Sequence, residues 1–216
     1  MNARLPRTSL DCPTRGLPDL QHLRPDVWRK VNRLLVRKAI SEFAHEALLD
    51  PLLLADDGEW QRFRLESDDG RSTYVFRAQR LALNHWLIEP DSIRRQRDGQ
   101  TVDPDALAFI IEFRDSLKMR QDVIPVYLDE ISSTLFGSAF KHHRQAPSAR
   151  ELVHADFQQI ETAMTEGHPG FVANNGRIGF DASRLPPCMR PKRAHRSTSS
   201  GWPCTRAGRR CPSRQT

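Results

Sequence analysis

A chain of 216 residues suits one large domain or two small ones, and with no apolar run of about 18 residues it has no membrane span. Its formal net charge of +6 is concentrated at one end: residues 184–216 hold eight Arg and one Lys without an acid, which leaves 24 basic and 27 acidic side chains on the other 183 residues. A mildly acidic body excludes nucleic acid as the expected partner, and Met1 to Gly16 lacks the apolar core of a signal peptide, so the expected compartment is the cytoplasm.

In chain order, residues 1–24 contain Pro and Arg without period and are expected to form a loose arm. Pro25-Asp26 opens a helix, because Pro is tolerated in a first turn and Asp is favourable there. Val27, Trp28, Val31, Leu34, Leu35, Phe43, Leu48 and Leu49 give that helix one apolar face, and Asp50-Pro51 is expected to end it. Glu42-Phe43-Ala44-His45 has the Glu-x-x-His spacing of di-iron bundles, but such sites need two of these motifs and two further Glu converging in one bundle, so a solvated helix face is expected and no metal site.

The period changes over residues 59–97. Gln61-Arg62-Phe63-Arg64-Leu65 alternates, Asp68-Asp69-Gly70 signals a turn, and Ser72-Thr73-Tyr74-Val75-Phe76 resumes a strand. A third strand is expected over Leu81 to Ile88, with His85 an ordinary packed histidine, which completes an antiparallel meander. Helical spacing returns after Asp103-Pro104, from Leu107 to Leu117, and again from Pro125 to His142. Ser132-Ser133-Thr134 within the second of these are expected to face water. A last helix is expected from Ser148, with Glu151 three residues on as a capping box, continuing to Gly167. Adjacent His142 and His143 point to different sides of a helix and cannot share a metal ion.

The stretch Glu166 to Phe180 gathers four glycines, a proline and Asn175-Gly176 in a short span. Asn-Gly is the dipeptide a type I′ turn wants, so a tight Gly-rich hairpin is expected, with Phe171, Val172 and Ala173 before the turn and Ile178 and Phe180 after it. Gly167 allows close approach, while His168 and Arg177 supply donors suited to an anionic group. Beyond Ser183, Pro, Arg, Ser, Thr and Cys dominate, and such a segment is expected to be disordered. Cys188, Cys204 and Cys211 fit no zinc spacing, and with Cys12 they form no disulfide framework. The whole reads as an α+β fold: N-terminal helices, an antiparallel meander, further helices, the hairpin and a disordered basic tail.

The hairpin stretch resembles the signature of the NRPS-independent siderophore synthetases, the aerobactin-synthetase (IucA/IucC) family, whose general pattern is His-Pro-x-His-Pro-x-x-Lys-x-Arg-x-Gly-Phe. Laid on this chain without gaps, His168, Pro169, Arg177, Gly179 and Phe180 match, Phe171-Val172 replaces the second His-Pro, and Asn175 stands at the Lys position. Val31-Asn32-Arg33, Glu42 to Glu46, His85 to Pro90 and Tyr127 to Leu135 resemble family blocks in family order, so residues 25–183 look like the N-terminal part of a synthetase domain.

The resemblance implies ATP-dependent condensation with Mg2+. A carboxylate of citrate or a related acid is adenylated, and an amine or hydroxyl then displaces AMP. His168, Arg177, Asn175 and Gly167 become candidates for binding ATP or substrate, and the catalytic residues stay unassigned. Most of the family's ligand-binding residues lie further along than this chain reaches, so the chain alone is expected to be inactive. A homodimer is expected from the habit of full-length relatives. The tail is expected to be translated out of frame, because its vocabulary is what off-frame reading of GC-rich DNA yields. The alternative from the residues themselves is a non-enzymatic α+β module that binds an anion or a protein.

Overall fold

A computed structural model of the chain describes residues 21–143, 147–164, 166–168 and 170–174. The first long element is α1, Pro25–His45, with Pro at its start and Asp26 in its first turn. Six strands follow: β1 Leu52–Asp56, β2 Gln61–Glu66, β3 Ser72–Arg80, β4 Trp86–Ile88, β5 Arg94–Arg97 and β6 Gln100–Val102. They form one antiparallel sheet in the order β1-β2-β3-β5-β6, and β4 pairs with the far end of β3. Helices α2 (Ala106–Glu112) and α3 (Ile124–His143) complete the body, and the short α4 (Ala149–Leu152) and α5 (Phe157–Ala163) come after it.

The alternation of β2 and β3 decides which face is covered. Phe63 and Leu65 on β2, and Tyr74, Phe76 and Ala78 on β3, point inward and are buried, while Arg62 and Arg77 point out. α1, α2 and α3 bring Val31, Val36, Ile40, Phe109, Phe113, Ile131 and Leu135 into the same core. Aromatic edges lock the layer: Trp86 meets Phe63 at 4.9 Å, and Tyr74 meets Phe109 at 5.2 Å.

Two buried polar contacts join the layers. Glu112, at the end of α2, accepts from Ser72 Oγ (2.8 Å), the Tyr74 hydroxyl (2.7 Å), Arg97 (2.6 Å) and Arg95. On α1, buried Asn32 accepts the Ala106 N–H (2.9 Å) through Oδ1, so α1 caps the first turn of α2 together with Asp105.

Several expectations need correction. The loose arm is not loose throughout: Gln21–Leu23 is a 3-10 turn, and His22 is buried edge-on against Phe136, 4.7 Å between ring centres. α1 stops at His45, before Asp50-Pro51, because Ala47 takes φ +55° and the Ala47 and Leu48 amides bond back to the Ala44 and Phe43 carbonyls. The third strand is only Trp86–Ile88, since Leu83 and Asn84 turn at positive φ. β1, β5 and β6 were not foreseen. Thr134 is buried, not facing water. The helix expected from Ser148 has its capping box, but a second one, Asp156 with Gln159, restarts the chain as α5. Among the described residues, Phe171 to Asn174 carries no strand, so the first arm of the expected hairpin is not formed there. Its turn and second arm, and the expectations for 1–20 and 184–216, lie outside the described residues.

Ala47→Gly is expected to raise stability by about 1 kcal/mol, because a Cβ in the left-handed region costs about that much and glycine removes it. Thermal unfolding should show the midpoint rising by about 2–4 °C. The protein's two tyrosines supply a pH prediction. Burial and the adjoining Glu112 push Tyr74 far above its usual range, and burial lifts Tyr127 to about 12. A raised folded-state value favours the neutral phenol in the native protein, so this contribution is intact below the unfolded value of about 10 and is lost as pH climbs through 12. Absorbance at the tyrosinate band should therefore stay flat near pH 10 and rise first near pH 12 as Tyr127 ionises, with Tyr74 following on unfolding.

Candidate functional site: a histidine loop tied to the first helix

The residues after α5 return to α1. Its apolar face runs through Val31 and Leu35, and the next position on that face is Lys38, a lysine only 6% exposed. Its Nζ donates to the carbonyl of His168 at 2.6 Å. Asn174 Nδ2 donates to the same carbonyl at 3.2 Å, and Arg37 lies 3.8 Å from Glu166. Val172 drops into the core, while His168 and Phe171 stay outside with their rings 4.7 Å apart. The loop is thus anchored by one buried apolar side chain and by a carbonyl held by two donors.

Glycine at 167 has a steric reason. A Cβ there would sit 3.2 Å from the Asn174 carbonyl oxygen and 3.3 Å from the Asn174 side chain, tighter than ordinary contact. Within the loop, the Gly170 N–H donates to His168 Nδ1 at 3.0 Å. A ring nitrogen that accepts carries no proton, so neutral His168 is protonated on Nε2, the nitrogen opposite.

The surroundings carry both signs of charge, Lys38 and Arg37 against Glu166 and Glu42. Lys38, Glu166, Asn174, Ser138 and His142 line a cleft of about 20 Å³ between α1, α3 and the loop. Desolvation holds Lys38 below the ordinary lysine value, against the opposing pull of Glu166 and Glu42. Burial likewise lowers His142, helped by Lys30. Among the described residues, no group of three His, Cys, Asp or Glu side chains converges to hold a metal ion, and no helix is long and apolar enough to cross a membrane. Glu42 and His45, the Glu-x-x-His pair, split: Glu42 faces Gly170, and His45 stacks on His85 at 4.4 Å.

Of the sequence candidates, the structure ties His168 to α1 and packs Gly167 on Asn174, while Asn175 and Arg177 lie outside the described residues. Lys38 and Asn174 were missed. The available signal for Lys38 was a cation standing where the apolar stripe of α1 demands a hydrophobe.

Over 160 residues the chain is 44% identical to putrebactin synthase of Shewanella sp. strain MR-4. The chain belongs to the NRPS-independent siderophore synthetases. It is also 29% identical to aerobactin synthase of Vibrio mimicus and 28% identical to the siderophore biosynthesis protein RhbF of Rhizobium meliloti. These matches take in about three quarters of this chain and about a quarter of each relative. No protein-family model matches. The family fold is recovered in solved structures: the aerobactin synthetase IucC of Klebsiella pneumoniae (TM-score 0.62, 23% identity, 74% of this chain and 28% of that one) and the petrobactin biosynthesis protein AsbB of Bacillus anthracis (0.63, 18%, 76% and 27%).

Gly167→Ala is expected to prise Asn174 from the His168 carbonyl. Amide exchange over 166–174 should then quicken by about tenfold with the unfolding midpoint little changed, because the global core is untouched.

Proposed function

We propose that this chain carries an anion-facing loop of an ATP-dependent siderophore synthetase, the kind of enzyme that adenylates a carboxylate of citrate or a related acid and passes it to an amine or hydroxyl. The carrying observation is the tied loop. At the start of the family signature, His168 is tied to α1 through its carbonyl, and the outward nitrogen of neutral His168 is a hydrogen-bond donor. A donor fixed before the ligand arrives needs no reorganisation as negative charge gathers beside it. The relatives' names, putrebactin and aerobactin synthases, support the siderophore class.

Each part has a chemical task in this reading. His168 donates to a phosphate or carboxylate oxygen, and Arg177, further along the signature, supplies a planar pair of donors to the same crowded anions. Gly167 keeps the backbone low enough for the loop to close, and Asn175 contributes a neutral amide where the family pattern has Lys. Mg2+ would come with the nucleotide and offset its phosphate charge. The exposed arm of His168 against Phe171 also offers a flat surface beside the donor.

Turnover is proposed to need more polypeptide than this, since the matched residues are a quarter of each relative. ATP–pyrophosphate exchange with citrate on the purified chain should be absent, and exchange at ordinary enzymatic rates overturns that part. Titration with Mg-ATP, followed by isothermal calorimetry, should show binding that His168→Ala weakens by about tenfold, the size of one lost hydrogen bond to a charged group. Equal affinity in the variant removes His168 from the site.

A further inference from the structure

We propose that Lys38 is a positioning residue: by holding the His168 carbonyl, it fixes which nitrogen of His168 carries the proton and where that nitrogen points. The ligand's identity rests on the nucleotide reading above, whereas the positioning rests on geometry alone.

A lysine only 6% exposed is an expensive way to fill a helix position. An apolar side chain of similar length would pack on Val31 and Leu35 without desolvating a charge. Among the described residues, no close ion pair to the ammonium explains it. Its hydrogen bond goes to a backbone carbonyl 130 residues later, at 2.6 Å. Glu166 and Glu42 act on it only through the field, and Arg37 opposes them.

That bond has a consequence two residues on. The His168 carbonyl takes donors from both Lys38 and Asn174, so the peptide after His168 cannot rotate freely. With that peptide fixed, the Gly170 N–H falls 3.0 Å from His168 Nδ1. The amide occupies Nδ1, and the proton must sit on Nε2 in the neutral ring. Free imidazoles exchange between the two forms, and only one of them presents a donor outward at a given ring orientation. The chain of cause runs from a buried ammonium, through a carbonyl and an amide, to a defined N–H. Lys38 itself need not touch ligand.

Nitrogen-resolved NMR of the full-length chain, with the His168 signal assigned by its loss in His168→Gln, tests this. In the unaltered chain at a pH where His168 is neutral, the two ring nitrogens should show the shifts of a single Nε2–H tautomer. In Lys38→Met they should move toward averaged values, and exchange protection of the Gly170 amide should fall by about tenfold, the worth of one charge-assisted bond. Lys38→Arg, which keeps a donor, should restore part of both. Mg-ATP affinity should fall in Lys38→Met and recover partly in Lys38→Arg. An unchanged tautomer in a folded Lys38→Met overturns the proposal. A shifted tautomer with no Mg-ATP binding even by the unaltered chain upholds the positioning role and sinks the nucleotide reading instead. Should Lys38→Met fail to fold, Asn174→Ala removes the other donor to the same carbonyl: a shift toward averaging supports the clamp, and no shift counts against it.

Discussion

A carboxylate sealed inside the protein holds the body together. Glu112 is almost wholly buried and accepts from Ser72 and Tyr74 on β3 and from Arg95 and Arg97 on β5. A lone carboxylate in such a place would be prohibitive, and its removal would strand the buried Arg95 guanidinium. With four donors it becomes a bolt that sets where the last turn of α2 sits on the sheet. Sheet and helix are thereby fixed in register, which greasy contact alone specifies less sharply. The bolt also places Phe109 and Phe113 over Tyr74.

Asn32 and Lys38 repeat the device along α1. Asn32 reaches α2 through the Ala106 amide, and Lys38 reaches the loop through the His168 carbonyl. Both lie on the buried side of a helix that otherwise presents Val31, Leu35, Val36 and Ile40 to the core. α1 thus acts as a common spine: its hydrophobes stack on the sheet, and its two buried polar groups carry the elements that come later. The outer sheet face is managed differently. Arg62 and Arg77 stand directly opposite each other, a repulsive placement on its own, and each has an acid at hand, Asp57 and Glu89. Those pairs are exposed, so they relieve repulsion without adding much stability.

The parts of the fold legible in the sequence were those with a strong apolar period. β2, β3, α1 and α3 announce themselves because one face of each is hydrophobic and the other is not. β5 and β6 did not, since Arg94-Arg95-Gln96-Arg97 and Gln100-Thr101-Val102 have hardly an apolar residue between them. Their hairpin turns on Asp98-Gly99, both at positive φ, a dipeptide whose meaning is plain only once flanking strands are known. Arg95 is buried because Glu112 waits for it, and no local pattern reveals a partner 17 residues away. Leu52-Leu53-Leu54 are the opposite case: three leucines lie about half exposed on an edge strand with a bulge, where pairing with β2 matters more than burial.

The candidate site was legible as composition but not as geometry. Four glycines with a His-Pro step single out this stretch, and the resemblance rests on the same residues. What the letters did not reveal is that the loop closes through a bond to a residue 130 positions earlier. Long-range polar contacts of this kind leave no periodic trace. They appear in a sequence only as an anomaly, a polar residue where the pattern calls for a hydrophobe, and Lys38, Asn32 and Glu112 are three such anomalies. The inference reverses usefully: in a helix whose buried stripe is otherwise clean, the charged exception marks where another part of the chain must arrive. By that logic the histidine loop and the core are one mechanical unit. Val172 shares the hydrophobic interior with Ile40 and Phe63, so a disturbance that shifts α1 on the sheet also shifts the nitrogen that His168 presents.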